Sequence, residues 1–316
     1  MLNKDILTLS EMTRADMADL FALAGELKAR YKSGLVDEFL KGRVLGLIFD
    51  KHSTRTRVSF EAAMNQLGGS VIYMSSGDMQ IARDEPVKDT ARVLARYIDA
   101  LVIRTYSQEL IAAYAAYADI PVINALSDRF HPCQVLSDLL TIIEHKGGWE
   151  GLKIAWVGDG NNVANSWVNA SAVLGFELIL ACPEGYAPDP AVMAAAVSGG
   201  RGKISVTDDP RAAVRGADVI YTDVWASMGQ ERERAQRLKA FQGFQVNDGL
   251  LGLAAADVVV MHCLPAHRGE EITDQVLEGG RSIVWDQAEN KLHMHKAVLK
   301  RLIENNITHK GENRVG

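Results

Sequence analysis

Apolar residues along this chain alternate between two rhythms. Short runs rich in β-branched and other apolar residues, at 44–49, 100–103 and 121–124, give way to segments with helical spacing such as 109–117 and 135–144. The rhythm restarts at 153–157 and continues through 177–181, 203–206, 218–221, 257–261 and 282–285, with helical candidates between most of these runs. Strands that alternate with helices need crossover connections, which predicts an α/β protein with mainly parallel sheets flanked by helices. Asp16, Leu20, Leu23, Ala24 and Leu27 fit an amphipathic helix opening after a Thr13 cap, and 289–303 fits another. Lys146, Gly147 and Gly148 end one helix before a new strand. Two lobes are therefore expected, 1–147 and 148–288, with a C-terminal helix over 289–316 packing back on the first.

The length of 316 residues supports two cores, since one domain usually takes about 100–200 residues. With 47% hydrophobic and 23% charged residues, neither a disordered nor a fibrous class competes. A formal net charge of -6 argues against a nucleic-acid partner, so any phosphate must be gripped by local arginines. The three cysteines, Cys133, Cys182 and Cys263, lie far apart and form no C-x-x-C pair, which disfavours a disulfide framework or a structural zinc site. The first ten residues lack the pattern of a secretory leader, and no apolar stretch is long enough to span a bilayer. A cytoplasmic protein without a membrane partner is expected.

In parallel α/β sheets ligands sit beyond the carboxyl ends of the strands, so the residues after each strand carry the candidate chemistry. After the strand ending at Phe49 come Ser53, Thr54, Arg55, Thr56 and Arg57, leading into a helical pattern at 58–64. A helix start presents unpaired N–H groups, and hydroxyls with guanidinium forks complete a phosphate cradle. No glycine-rich Walker pattern is present. The bland alternative is an N-cap with Arg57 and Glu61 paired one turn apart on a solvated face. Gln80, then Arg104 at a strand end, then His131 to Gln134 at a helix start follow in order; singly, Arg104 could be a surface cation and His131-Pro132 a simple helix start.

The string Ser-Thr-Arg-Thr-Arg followed by Val-Ser-Phe-Glu resembles the carbamoyl phosphate motif of the aspartate and ornithine carbamoyltransferase family, and the later matches extend the likeness along essentially the whole chain. The resemblance implies that family's two-lobed fold. It also implies that Ser53, Thr54, Arg55, Thr56, Arg57 and Arg104 hold the phosphate. Thr56, Arg104 and His131 would polarise the carbamoyl oxygen, Gln134 would bind its amide, and Gln80 would reach into a neighbouring subunit's site.

The second lobe should choose the acceptor. Gly158-Asp159-Gly160 evokes a dinucleotide turn, but Val163 stands where a third glycine is wanted. In the ornithine branch of the family the second Asn of a similar turn binds the substrate carboxylate, and Asn162 matches it. Asp223-Val224-Trp225-Ala226-Ser227-Met228-Gly229 resembles that branch's substrate segment, with Asp223 and Ser227 on the α-ammonium and Met228 on the carboxylate. The charge run 231–237 reads as a solvated helix face, or else a lid. His262-Cys263-Leu264-Pro265 looks like the branch's signature, which sets Cys263 beside the reacting amine and offers the Leu264 carbonyl to the carbamoyl group. His262, Cys263 and His267 could suggest a metal, but no second ligand pair accompanies them, and no metal is expected. One departure stands out: the family has arginine after Ala-Glu-Asn, whereas here Lys291 follows Asn290, keeping charge and losing the bidentate fork.

The implied reaction joins carbamoyl phosphate and L-ornithine into citrulline and phosphate with no cofactor, in a homo-oligomer, a trimer or multiple of trimers. Cys263, Arg104, His131 and Arg55 are the expected catalytic groups. Transfer to putrescine or aspartate is the near alternative. A nicotinamide-dependent oxidoreductase, resting on the Gly158 turn, is the distant one, and a silent binding subunit is a third.

Overall fold

The computed structural model describes residues 2–51, 53–75, 85–226 and 233–315. The chain divides into two compact units, Met1–Leu140 with Asn290–Gly316, and Thr141–Glu289. In the first, α1 (Arg14–Lys32) leads to β1 (Val44–Phe49), α2 (Thr54–Gln66), β2 (Ser70–Ser75), α3 (Val87–Leu94), β3 (Ala100–Arg104), α4 (Gln108–Tyr117), β4 (Val122–Leu126) and α5 (Pro132–Lys146). The Thr13 hydroxyl accepts from Asp16 N at 3.1 Å while the Asp16 carboxylate accepts from Thr13 N at 3.0 Å, a reciprocal cap that fixes where α1 begins. Its apolar stripe Met17, Leu20, Phe21, Ala24 and Leu27 is buried.

The four strands of this unit are parallel in the order β2-β1-β3-β4. The central β3 is buried throughout, which is why its sequence reads as an unbroken apolar run. Ile6 bridges Ile123 on the far side of β4, and β2 forms the other edge with its face partly exposed.

In the second unit, β5 (Lys153–Val157), α6 (Asn162–Leu174), β6 (Glu177–Ala181), α7 (Pro190–Gly199), β7 (Lys203–Thr207), α8 (Pro210–Val214), β8 (Val219–Thr222), α9 (Arg234–Ala240), α10 (Asp248–Leu251), β9 (Val259–His262) and α11 (Asp274–Leu277) precede α12 (Val284–Val315). Five parallel strands follow the order β7-β6-β5-β8-β9. The direction of winding changes between β5 and β8, and a crevice opens at the carboxyl ends of such a pair. Two α/β units with parallel sheets are what the alternating pattern predicts.

The expected strand at 282–285 is not one. Ser282 makes a single bridge to Val260, and Val284 already opens α12, ahead of the expected helix start at 289. Among the described residues no helix is long and apolar enough to cross a membrane.

Candidate active site

In the first unit the candidate groups gather at the carboxyl ends of β1, β3 and β4. Ser53 caps α2 from an extended backbone, its hydroxyl accepting from Thr56 N at 3.3 Å. Thr54 and Arg55 stand exposed in the first turn, which holds no acidic residue, so the positive end of the helix is left for an anion. Arg57 is turned elsewhere, bonding Glu61 at 2.8 Å with its guanidinium 3.7 Å from the centre of the Tyr73 ring. Arg104 ends β3 in register with Phe49 at the end of β1, and its carbonyl accepts from Asp50 N at 2.8 Å. Arg104 therefore sits at the strand end next to the chain that leads into α2.

Lys291 joins this group from α12. Its Nζ donates to Gln134 Oε1 at 2.9 Å and to Thr56 Oγ1 at 3.3 Å, while Gln134 Nε2 donates to Asp138 at 2.8 Å. The position where the family's arginine was expected thus brings its ammonium to Thr56 and Gln134. His131 is buried close by. Burial, then the charges of Lys291, Arg104 and His295, hold its imidazole well below the usual histidine range. A neutral imidazole among cations polarises an oxygen by donating its N–H without adding charge of its own. Lys51, just outside the Ser53–Arg57 string, is also buried here. It pairs with Asp128 and lies 4.1 Å from the Tyr106 ring centre. A cation directly after a strand that ends at the ligand edge was the available signal.

In the second unit Asn161 caps α6, accepting from Val163 N at 2.9 Å and Ala164 N at 3.2 Å. Its amide donates to Asp223 Oδ2 at 2.8 Å. Asp223 Oδ1 accepts from Val224 N at 2.8 Å and from Cys263 Sγ at 2.9 Å. Asn162 is the first residue of α6, so Asn162, Asp223 and Cys263 come from the carboxyl ends of β5, β8 and β9. Gln80, Ser227 and Met228 lie outside the described residues.

Leu264 has a left-handed backbone, φ 56°, unusual for a side chain branched at Cγ, and a bond from its own N–H holds it there. That N–H donates to His262 Nδ1 at 2.8 Å, so the ring proton sits on Nε2 and is donated to Glu271 Oε1 at 3.0 Å. Glu271 also accepts from His267 N at 2.6 Å, and Gln287 Oε1 accepts from His262 N at 3.0 Å. This buried network fixes the peptide plane that joins Cys263 to Leu264. The cluster of Asp223, His262 and Cys263 has metal-ligand composition, as does that of His267, Glu270 and Glu271. Both ring nitrogens of His262 and the Cys263 thiol are already engaged in the protein's own hydrogen bonds.

The charge run ending at Arg237 is not simply a solvated face. Arg237 is 7% exposed, with Nη1 3.0 Å from Asp159 Oδ2 and 2.9 Å from the Trp225 carbonyl, which it bonds. Burial pushes the Asp159 carboxyl up to about 6 against the pull of Arg237, with Asp223 and Glu233 adding to the rise. A Cβ at Gly160 would collide with the backbone of Ala187 and Pro188 and come within 2.7 Å of the Tyr186 carbonyl oxygen. Gly160 is therefore required by the chain's own close approach, and the space a dinucleotide phosphate would use over it is filled.

Both halves of the chain match models of one family. The carbamoyl-P binding domain model matches residues 4–144 and the Asp/Orn binding domain model residues 150–302. The chain belongs to the aspartate/ornithine carbamoyltransferase family. Within this carbamoyltransferase family, the ornithine carbamoyltransferase of Geobacter sulfurreducens is 54% identical over 301 residues, 95% of this chain and 99% of the relative. That of Desulfotalea psychrophila is 56% identical over 296 residues, 94% and 98% of the two chains. The solved ornithine carbamoyltransferase of Pyrococcus furiosus superposes with a TM-score of 0.90 at 49% identity, covering 93% of this chain and 95% of that one. The Gloeobacter violaceus enzyme gives 0.85 at 50% identity, with coverage of 96% and 99%. The likeness drawn from the Ser53–Arg57 string and the His262–Pro265 string thus extends to the whole carbamoyltransferase fold.

Proposed function

We propose that this chain transfers the carbamoyl group of carbamoyl phosphate to the δ-amine of L-ornithine, giving L-citrulline and phosphate. The observation that carries the choice of acceptor is the Asp223 carboxylate, buried at the carboxyl end of β8 with the Cys263 thiol 2.9 Å away and Asn161 and Asn162 alongside. An α-amino acid needs an anion for its ammonium and a donor for its carboxylate. In this reading Asp223 and Ser227 take the α-ammonium, and Asn162 and Met228 take the carboxylate. Ser53, Thr54, Arg55, Thr56 and Arg104 hold the phosphate, while Arg57 stays with Glu61 and the Tyr73 ring. Thr56, Arg104 and His131 stabilise the charge that grows on the carbamoyl oxygen, and Gln134, Leu264 and Lys291 orient the carbamoyl group.

The neutral δ-amine attacks the carbamoyl carbon, forming a C–N bond and a tetrahedral intermediate. Collapse breaks the C–O bond to phosphate, the electron pair leaves with the phosphate, and the proton lost by nitrogen passes to a phosphate oxygen. Atoms balance without a cofactor. A free alkyl ammonium has a pKa of about 10.4, so the reactive form is scarce at neutral pH and turnover should rise through the mildly alkaline range.

A panel of ornithine, putrescine and aspartate, assayed for carbamoyl phosphate-dependent product, tests the reading. Citrulline from ornithine, forming faster at pH 9 than at pH 6, is expected. No citrulline, or a steady decline over that range with the protein still folded, sinks it. A cytoplasmic role in arginine biosynthesis goes with this activity. Exposed Val58 on α2 and Ile72 and Tyr73 on the edge strand β2 support a homo-oligomer, expected to be a trimer with Gln80 serving a neighbouring copy. A monomeric mass in solution at working concentration would contradict that.

A further inference from the structure

Lys291 and His295 lie one turn apart on the same face of α12, and both reach α2. Lys291 donates to the Thr56 hydroxyl, as described. His295 is fully buried, its ring stacked on Phe60 with centroids 3.6 Å apart and planes within 8°. Its Nδ1 is 3.0 Å from Ser59 Oγ, and Ser59 Oγ donates to the Thr56 carbonyl at 3.1 Å. A hydroxyl has one proton to give. With that proton on the Thr56 carbonyl, His295 Nδ1 must be the donor to Ser59, which leaves Nε2 as a bare lone pair. Nε2 has no hydrogen-bond partner among the described residues. The opposite tautomer would bury an N–H with nothing to receive it, a rarer and costlier state than an unfilled acceptor.

We infer that His295 is a positioning residue of the donor site, holding Thr56 through the hydroxyl of Ser59. Thr56 is then fixed at three points: its amide by Ser53, its carbonyl by Ser59 and its hydroxyl by Lys291. Burial and the Lys291 charge keep the His295 ring neutral, so it supplies a directional bond without competing for the anion. The inference rests on the proposed role of Thr56 in binding the phosphate donor. Displacements of about 1 Å at such a group cost up to about 100-fold in rate, so a bond that fixes its backbone acts on donor binding and turnover.

His295→Phe keeps the stack on Phe60 and removes the donor. Ser59→Ala removes the intermediate hydroxyl from a half-buried site. His295→Asn restores a donor near the place of Nδ1. Each variant and the Phe/Ala double would be compared with the wild type for inorganic phosphate binding by calorimetry, for the KM of both substrates and for Tm. His295→Phe and Ser59→Ala should each weaken phosphate binding and raise the carbamoyl phosphate KM by about 3- to 10-fold, with the ornithine KM within about twofold. The double should be no worse than the poorer single, and His295→Asn should recover most of the loss. A fall in Tm with the donor constants unchanged, an equal rise in both KM values, or effects that multiply in the double would overturn the inference. Should His295→Phe fail to fold, Ser59→Ala alone decides by the same KM split. A wild type that makes no citrulline would sink the proposed reaction, whereas the phosphate affinities would still report on His295.

Discussion

Asp223 accepts from three donors on three different stretches of chain: Asn161 Nδ2, Val224 N and Cys263 Sγ. Its geometry is therefore held by the unit around it, and its charge is the property left to act on a ligand. Asp223→Asn removes the charge at nearly unchanged volume; its amide oxygen can keep Val224 N and Cys263 Sγ, leaving the Asn161 donor unmatched. Losing a hydrogen bond between charged groups costs about 1.5–3 kcal/mol, so the ornithine KM should rise by about 10- to 100-fold. Steady-state kinetics with each substrate varied in turn checks this, and an equal loss for carbamoyl phosphate would contradict the assignment. Arg237 acts on the same region from behind, tying Asp159 to the Trp225 carbonyl. Nothing in the run of charges at 231–237 marks which of them folds inward. The partner that selects Arg237 is far away in sequence, whereas Ser53 to Arg57 were readable because a helix start assembles its phosphate cradle from consecutive residues.

Among the elements, the turn from β5 to α6 shows what a glycine can signify. Gly160 N donates to the Tyr186 carbonyl at 2.8 Å, and the 186–188 backbone leaves no room for a Cβ. Gly160→Ala should destabilise the second unit by about 1–3 kcal/mol, since the obstacle is main chain and cannot rotate away. Thermal unfolding of the variant, with Gly249→Ala as a looser control site, reads the difference; equal behaviour would show that the turn yields. Most strands were legible because a parallel sheet buried on both faces gives continuous apolar runs, as β1 and β3 do. The pattern failed at two places for opposite reasons. β2 sits at a sheet edge with a partly exposed face, so its residues lack the full apolar signal. The run 282–285 has that signal, but it is too short to distinguish a strand from the start of a helix, and Trp285 ends up 56% exposed on α12. The meeting of Thr56, Gln134 and Lys291 draws on three distant helices and had no local mark beyond the motif likeness.

The stability of the molecule in acid follows from groups that the fold keeps from their ordinary ionisation. His131 and His295 are buried and held well below 6.5, by desolvation first and then by neighbouring cations. Below pH 6.5 the unfolded chain binds a proton at each while the folded chain does not, so their stabilisation is present above that pH and lost as pH falls. The slope is about 1.4 kcal/mol per pH unit for each histidine. Asp159, raised to about 6, works in the other direction between there and 3.8, because the folded form keeps a proton that the unfolded one releases. Denaturant unfolding should therefore show a loss between pH 7 and pH 5.5 that is smaller in His295→Phe than in the wild type; parallel curves would mean that the ring titrates normally in the fold.

Cys133 and Cys182 are buried, and desolvation pushes both thiols up to about 12, while Cys263 is partly open to solvent with its sulfur on Asp223. An alkylating reagent applied near neutrality should modify one position per chain. The rate of that modification then becomes a covalent gauge of whether the Asp223 carboxylate is occupied, and it can be followed without any turnover.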